Sequence, residues 1–282
     1  MYRLALPAPP LSAFIENYWS VSPEPGQEVD LVVEVYVDGR ADLIFNFGAP
    51  YRRTRLGERP VSHHHSNLDA QRTYPIKIEQ KGQVVVTGVR FHPGGLAPFV
   101  GGSVARWTDN TPALSEVFGP EGRQLEASLR DCEQLEQRKQ LLDTFFLDRL
   151  DLTVGYQTFS QMLVRLHENP TLPLKTLAES FGLAPRTVTR SFQQHLGLLP
   201  STYARVVRFQ QAIRRLMHGP QGTLGQLAAD CGYFDQAHFV KEFKLFAGGI
   251  PGRFRSYFPA QGPDDFAPNL VTYLQDDRGG PG

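Results

Sequence analysis

The side chains in this sequence best suited to chemistry are hydrogen-bond donors grouped in two short stretches: Arg186, Thr187, Thr189 and Arg190, opened by Pro185, which is left to face outward with them, and later Gln236, His238 and Lys241. A guanidinium can donate two parallel hydrogen bonds to O6 and N7 of guanine, which makes Arg186 the strongest base-reading residue. Arg190 suits a base or a phosphate. Gln236 suits adenine, His238 a phosphate or guanine, and Lys241 a phosphate. The plain alternatives are a solvated surface charge for each arginine and contact with the nucleic-acid backbone alone for the second set.

Donors of this kind reach base edges in a major groove only if a helix carries them there. Around each set the sequence repeats one pattern. Leu177-Ala178, Gly182, Val188, Arg190, Phe192, Gly197, Pro200 and Tyr203 are matched in phase by Leu227-Ala228, Gly232-Tyr233, Phe239, Lys241, Phe243, Gly248, Pro251 and Phe254. Each copy predicts a short amphipathic helix, a glycine turn and a second helix whose apolar residues recur at helical spacing, a helix-turn-helix. In the second helices Val188 and Phe192 face inward, and Asp235 and Val240 join the outward set of the second unit. Between the units, Pro200 to about His218 reads as one helix with an apolar stripe of Tyr203, Val206, Val207, Ile213 and Leu216. Its roughly 19 residues span about 28 Å, close to the roughly 34 Å between successive major grooves on one face of B-DNA. One chain is thereby expected to read two adjacent grooves. Ser201, Thr202 and Gly222-Thr223 expose backbone N–H groups that either meet phosphates or cap their helices.

From about Gln157 to Arg255 the chain resembles the DNA-binding domain of the AraC/XylS family of bacterial transcription regulators. The resemblance rests on the residues above with Arg208, Ala212, Cys231 and Lys244. It departs at Ala184, Leu199 and Ile250, where the family has a hydroxyl side chain; Pro185 partly replaces the lost cap by presetting φ. The resemblance implies double-stranded DNA and RNA polymerase as partners, activation of transcription, and a small-molecule effector bound by the first domain.

Composition agrees with such a division of labour. The chain has 29 Lys and Arg against 29 Asp and Glu, but the charges are not evenly spread. Residues 168–256 hold 11 basic against 5 acidic side chains, a balance of +6, whereas residues 1–167 and the tail from 257 each stand at −3. A localised basic surface is what phosphate contacts require. No apolar run is long enough to span a membrane, and the first residues carry no apolar leader, so a cytoplasmic protein is expected. Cys132 and Cys231 offer neither a disulfide framework nor a metal spacing, and Cys231 reads as a small packing residue. His63-His64-His65 reads as solvated loop, because adjacent residues of an extended chain point apart. Phe91-His92-Pro93-Gly94-Gly95 reads as a turn, with ligand lining as the alternative. No catalytic triad, phosphate-binding glycine loop or paired carboxylate stands out, so neither an enzyme nor a cofactor is expected.

The first domain is expected to be strand-dominated. Leu31–Val37 and Ala41–Phe47 flank an Asp38-Gly39 turn, and Tyr74–Ile78 and Val84–Phe91 suggest a second pair. Residues 51–72 read as loop or hairpin extension, and the leucines and phenylalanines from Leu125 to Leu150 as helices closing the domain. The stretch is similar, around Asp38–Asn46 and Gly88–Gly95, to an uncharacterised β-rich domain often fused in front of AraC-type DNA-binding domains. That resemblance implies sensing or oligomerisation, a homodimer included. The expected fold is α+β: a mixed, strand-rich domain at 1–155, an all-α domain at 156–257 with two helix-turn-helix units joined by a long helix, and a tail at 258–282 whose Leu270–Leu274 patch docks on the body. The reading is a sequence-specific, effector-responsive DNA-binding regulator. The alternative is a small-molecule-binding or enzymatic first domain with a tethered DNA-binding module.

Overall fold

Periodicity changes near the middle of the chain, and the architecture follows it. In the computed structural model, which describes residues 2–23, 29–58, 63–217, 222–252, 254 and 271–273, strands dominate the first part and helices the rest. Of residues 29, 63, 217 and 271–273 only the backbone is described. The strands are β1 (Tyr2–Ala5), β2 (Ile15–Val21), β3 (Val29–Val35), β4 (Ala41–Asn46), β5 (Tyr51–Arg55), β6 (His63–His64), β7 (Asn67–Asp69), β8 (Ile76–Gly82), β9 (Val86–Phe91) and β10 (Val271–Tyr273). They form two antiparallel sheets, ordered β1-β2-β9-β4-β7 and β10-β3-β8-β5-β6.

Alternation along β4 sorts the two faces of the first sheet. Ala41, Leu43 and Phe45 join Val89 and Phe91 in an apolar core shared with Leu129, Leu142 and Phe146. These last come from α2 (Pro120–Arg130) and α3 (Leu135–Leu147), which with the short α1 (Leu114–Phe118) close the domain as expected. Asp42 and Asn46 point the other way, toward the second sheet. There Gln80 Nε2 donates to Asn46 Oδ1 at 3.2 Å, Asn67 Nδ2 donates to the Tyr51 hydroxyl at 2.6 Å, and Arg53 pairs with Asp69 at 3.0 Å. The layer between the sheets is therefore polar.

That layer explains two corrections to the sequence reading. Residues 51–72 are not merely loop: they supply β5, β6 and β7, whose inward side chains, Tyr51, Arg53, Asn67 and Asp69, lack the apolar alternation that marks an ordinary strand. Neither suggested strand pair is a hairpin. β3 pairs with β8 and β10, while β4 pairs with β7 and β9, so the Asp38-Gly39 turn carries the chain from one sheet to the other. The reason lies just ahead of the turn, where Tyr36 and Val37 leave the sheet to bury themselves in a core centred on the second helix-turn-helix unit. Lys81 and Gly82 end β8.

The helical part contains α4 (Tyr156–Glu168), α5 (Leu174–Glu179), α6 (Pro185–His195), α7 (Pro200–Met217), α8 (Leu224–Asp230) and α9 (Gln236–Ala247). The long connecting helix is α7, of 18 residues, which amounts to about 27 Å; His218 lies outside the described residues. The patch from Leu270 to Leu274 contributes β10, whose backbone pairs with β3, while Leu270 and Leu274 themselves lie outside the described residues. Cys231 is buried as a packing residue, and Cys132 is a half-buried free thiol. His92 accepts a hydrogen bond from the Gly95 N–H, as the turn reading requires. Among the described residues no helix is long and apolar enough to cross a membrane.

Candidate nucleic-acid interface

In the first unit Leu177 and Ala178 bury α5 against its neighbours. The chain then turns through Gly182 at φ +63°, a conformation a β-carbon resists, and the Leu183 N–H donates to Ala178 O at 3.0 Å. Ala184 supplies no side-chain cap, and Pro185 opens α6. Val188 and Phe192 are fully buried, which fixes the rotation of α6 and leaves Pro185, Arg186, Thr187 and Arg190 exposed. Thr189 is half-buried and its hydroxyl donates to Pro185 O at 3.0 Å. The first expected set is therefore brought together on one open face.

The second unit repeats the construction. Leu227 and Ala228 are buried, Gly232 turns at φ +73°, and the Tyr233 N–H donates to Ala228 O at 2.9 Å. Thr223 caps α8 by accepting from the Gln226 N–H, and Gln226 Oε1 accepts in turn from the Thr223 N–H, so Thr223 acts as a cap. Asp235 caps α9 through the His238 N–H at 2.7 Å. Phe239, Phe243 and Phe246 are buried, and Gln236 and Lys241 are exposed. Val240 is half-buried.

His238 is placed differently from the other expected contacts. Its ring lies edge-on to Tyr233 at 5.5 Å, and Nε2 stands 3.6 Å from Glu242 Oε1. Glu242 is the hub of an ionic clamp between α9 and α7: it is buried, accepts from Arg205 Nε, and meets Arg208 Nη2 at 3.4 Å. Arg208 also lies 5.2 Å over the Tyr233 ring. This clamp fixes the angle at which α7 presents α9, and sequence reading missed it because Glu242 looks like any charge on a polar helix. It also missed Phe234, 92% exposed ahead of the α9 cap, and Ala237, and it gave Lys244 no contact role. Spacing was the available signal: Ala237, Val240, Lys241 and Lys244 fall on one side of a helix, and with Gln236 they line a shallow groove.

Both units are seated on the strand domain. Ser103 Oγ donates to Gln193 O at 3.3 Å, and Thr108 Oγ1 to Gly197 O at 2.7 Å, which ties down the C-terminal end of α6. His195 is buried there, stacked on Phe159 at 4.9 Å and edge-on to Tyr156 at 5.7 Å. Burial holds the His195 pKa below its usual value and pushes the Tyr156 hydroxyl up to about 12. At the second unit the Val37 N–H donates to Phe246 O at 3.3 Å, and Gln210 Nε2 donates to Val37 O at 2.6 Å.

The same turn reaches into the polar layer. Arg90 makes a two-pronged contact with Asp42, at 3.0 and 2.9 Å, and meets Asp38 at 3.1 Å. Burial works against the Asp38 carboxylate, but Arg90, Arg40 and Arg72 outweigh it and hold its pKa below the usual value. Asp42 is raised, by burial first and by Asp38 and Asp69 beyond that. Arg53 and Arg72 both face Asp69. Asn17 Oδ1 and Asn67 Oδ1, on this inner face, are buried with no hydrogen-bond partner. His64 lies at the sheet edge, 5.6 Å from the Tyr51 ring; of His63 only the backbone is described, paired with Arg52.

Comparison with known proteins agrees with this geometry. Residues 177–257 match the helix-turn-helix domain family, and residues 3–112 match a domain of unknown function, DUF6597. An uncharacterized HTH-type transcriptional regulator of Haemophilus influenzae is 34% identical over 82 residues, 29% of this chain and 27% of that one. The transcriptional activator RhaS of Pectobacterium carotovorum is 35% identical over 80 residues, 28% of each chain. The chain thus covers less than a third of these relatives' length. Among solved structures, ToxT of Vibrio cholerae is similar over 90% of this chain and 98% of its own, at 8% identity and a TM-score of 0.46. Strands in front, two helix-turn-helix units behind and the two family matches define the class as a protein with a C-terminal helix-turn-helix domain. The chain thus carries a DUF6597 domain ahead of a C-terminal helix-turn-helix domain of the AraC type.

Proposed function

We propose that this chain binds specific double-stranded DNA and regulates transcription, placing α6 and α9 in two successive major grooves. The observation that carries this reading is the pair of equivalent units: each fixes its second helix by buried residues and leaves the N-terminal part of that helix open. Pro185, Arg186, Thr187, Thr189 and Arg190 face the first groove, and Gln236 and Lys241 the second. His238 steadies α9 through Glu242 and meets a phosphate at its edge. RNA polymerase is the partner through which binding acts on transcription.

The strand domain is proposed to sense a small polar effector. Its inter-sheet layer is charged, and unpartnered amide oxygens of Asn17 and Asn67 face into it. The turn from Tyr36 to Arg40 links that layer to α7 and α9, with Asp38 on Arg90 at one side and Val37 on Phe246 and Gln210 at the other. A ligand that competes for Arg90 would shift the turn and alter how α9 is presented, so its effect on DNA affinity equals its preference between the two arrangements.

The test is capture of fragmented genomic DNA by the full chain at near-physiological salt, followed by sequencing. Recovery of a few sites sharing two elements about one helical turn apart is the expected result. Recovery of DNA with no shared sequence would overturn the reading.

A further inference from the structure

The two recognition helices are built for different bases. The open end of α6 carries Arg186 and Arg190, donors suited to guanine O6 and N7. The open end of α9 carries no guanidinium among the described residues, since Arg205 and Arg208 of α7 are both drawn to Glu242. Asp235, the one acid there, is occupied by capping the helix. What α9 offers is apolar: Phe234 is 92% exposed ahead of the first turn, Ala237 is exposed one turn on, and half-buried Val240 floors the groove beyond it. Gln236 stands beside them, exposed, with an amide that matches adenine N6 and N7. Lys241 and Lys244 flank the groove with positive charge and suit the phosphates on either side.

Apolar side chains exposed in this way are suited to contact with another apolar group. In the major groove the one apolar group is the 5-methyl of thymine, and Phe and Ala are among the side chains that contact it. Resting on the DNA-binding reading above, we infer that α9 recognises an A·T-containing element, with Phe234 and Ala237 against thymine methyls and Gln236 on adenine, whereas α6 recognises an element containing guanine. Phe234 is a specificity residue for the second element, and its ring faces solvent only while DNA is absent.

The experiment selects binding sequences from random duplex DNA with the full chain, then replaces thymine by uracil within one element at a time. Uracil pairs as thymine does and lacks only the methyl. The α9 element is identified as the one whose preference survives Arg186→Ala. Uracil there is expected to weaken binding about fourfold per contacted methyl, the equivalent of one buried methyl-sized group, and uracil in the α6 element to leave affinity unchanged. Phe234→Ala, at a solvent-exposed position, is expected to abolish the uracil effect at its own base pair and to leave the salt dependence intact, while Phe234→Leu retains the effect. An α9 element without A·T pairs, or a wild-type affinity indifferent to uracil in it, would overturn this inference and leave the regulator reading standing. Failure to select any sequence would overturn both.

Discussion

Arg186 and Lys241 are both exposed cations on a recognition helix, yet their chemistry separates their tasks. The planar fork of a guanidinium matches guanine O6 and N7 with two parallel hydrogen bonds, while an ammonium is a point charge that suits any phosphate. Arg186→Ala is therefore expected to cost about 1–3 kcal/mol at one base pair and relax specificity there. Lys241→Ala is expected to weaken all sequences alike and to lower the slope of log K against log salt by about one. Binding titrations over base-substituted duplexes and salt separate the two; equal loss on every sequence for both variants would remove the base-reading role of Arg186. The turn glycines offer a second contrast. A β-carbon at Gly182 meets nothing within 4 Å, so Gly182→Ala costs only the left-handed conformation, about 1–2 kcal/mol. At Gly232 it would stand 2.6 Å from Thr171 Cγ2 as well, so Gly232→Ala is expected to lower the urea midpoint further.

At the scale of elements the second unit depends on the clamp between α7 and α9. Removing the Glu242 carboxylate leaves Arg205 and Arg208 facing each other without it, and Arg208 Nε is already buried unpartnered. Glu242→Ala is expected to destabilise the fold by about 1–3 kcal/mol, less than a fully buried pair because the Arg205 side chain is 36% exposed. It should also weaken selectively the element read by α9, as urea unfolding and site-by-site titration would show. The helices of this region were legible in sequence because each signal agreed with the next: period, turn glycine and buried second-helix residues. The strand domain was less so. Tyr51, Arg53, Asn67 and Asp69 face a polar layer, so β5 and β7 carry no apolar alternation to read. The Asp38-Gly39 turn was visible, but its role in joining two sheets depended on where Tyr36 and Val37 find their core, which is in another domain. Of the recognition residues, the arginines declared themselves by chemistry. Phe234 did not, since an exposed aromatic cannot be told from a buried one until the helix it precedes is placed.

Across the whole molecule the strand domain and the first helix-turn-helix unit share one core. The cluster that begins at Ala5 continues through Phe91, Phe146 and Phe159 to Val188, Phe192 and Val207, so strand domain and first helix-turn-helix unit lack separate interiors. A single calorimetric unfolding transition, with equal calorimetric and van't Hoff enthalpies, is expected; two resolved transitions would mean that the shared core contributes little. The seam also sets a pH dependence. His195 is held below its usual pKa by burial, and His167 by burial with Arg214 and Arg40 adding to it. The unfolded chain therefore takes up these protons first, near pH 6.5. Stability from these sites is fully present above that pH and is lost as pH falls from it toward the lower folded values. His195→Gln is expected to flatten the decline in melting temperature below pH 6.5, and an unchanged slope would exclude His195 as its source. The central claim is that one chain reads two grooves with α6 and α9, and hydroxyl-radical footprinting on a selected sequence tests it most directly. The prediction is two protected segments on one face of the duplex, about one helical turn apart, at one chain per site; one protected segment, or two that require two chains, would contradict it.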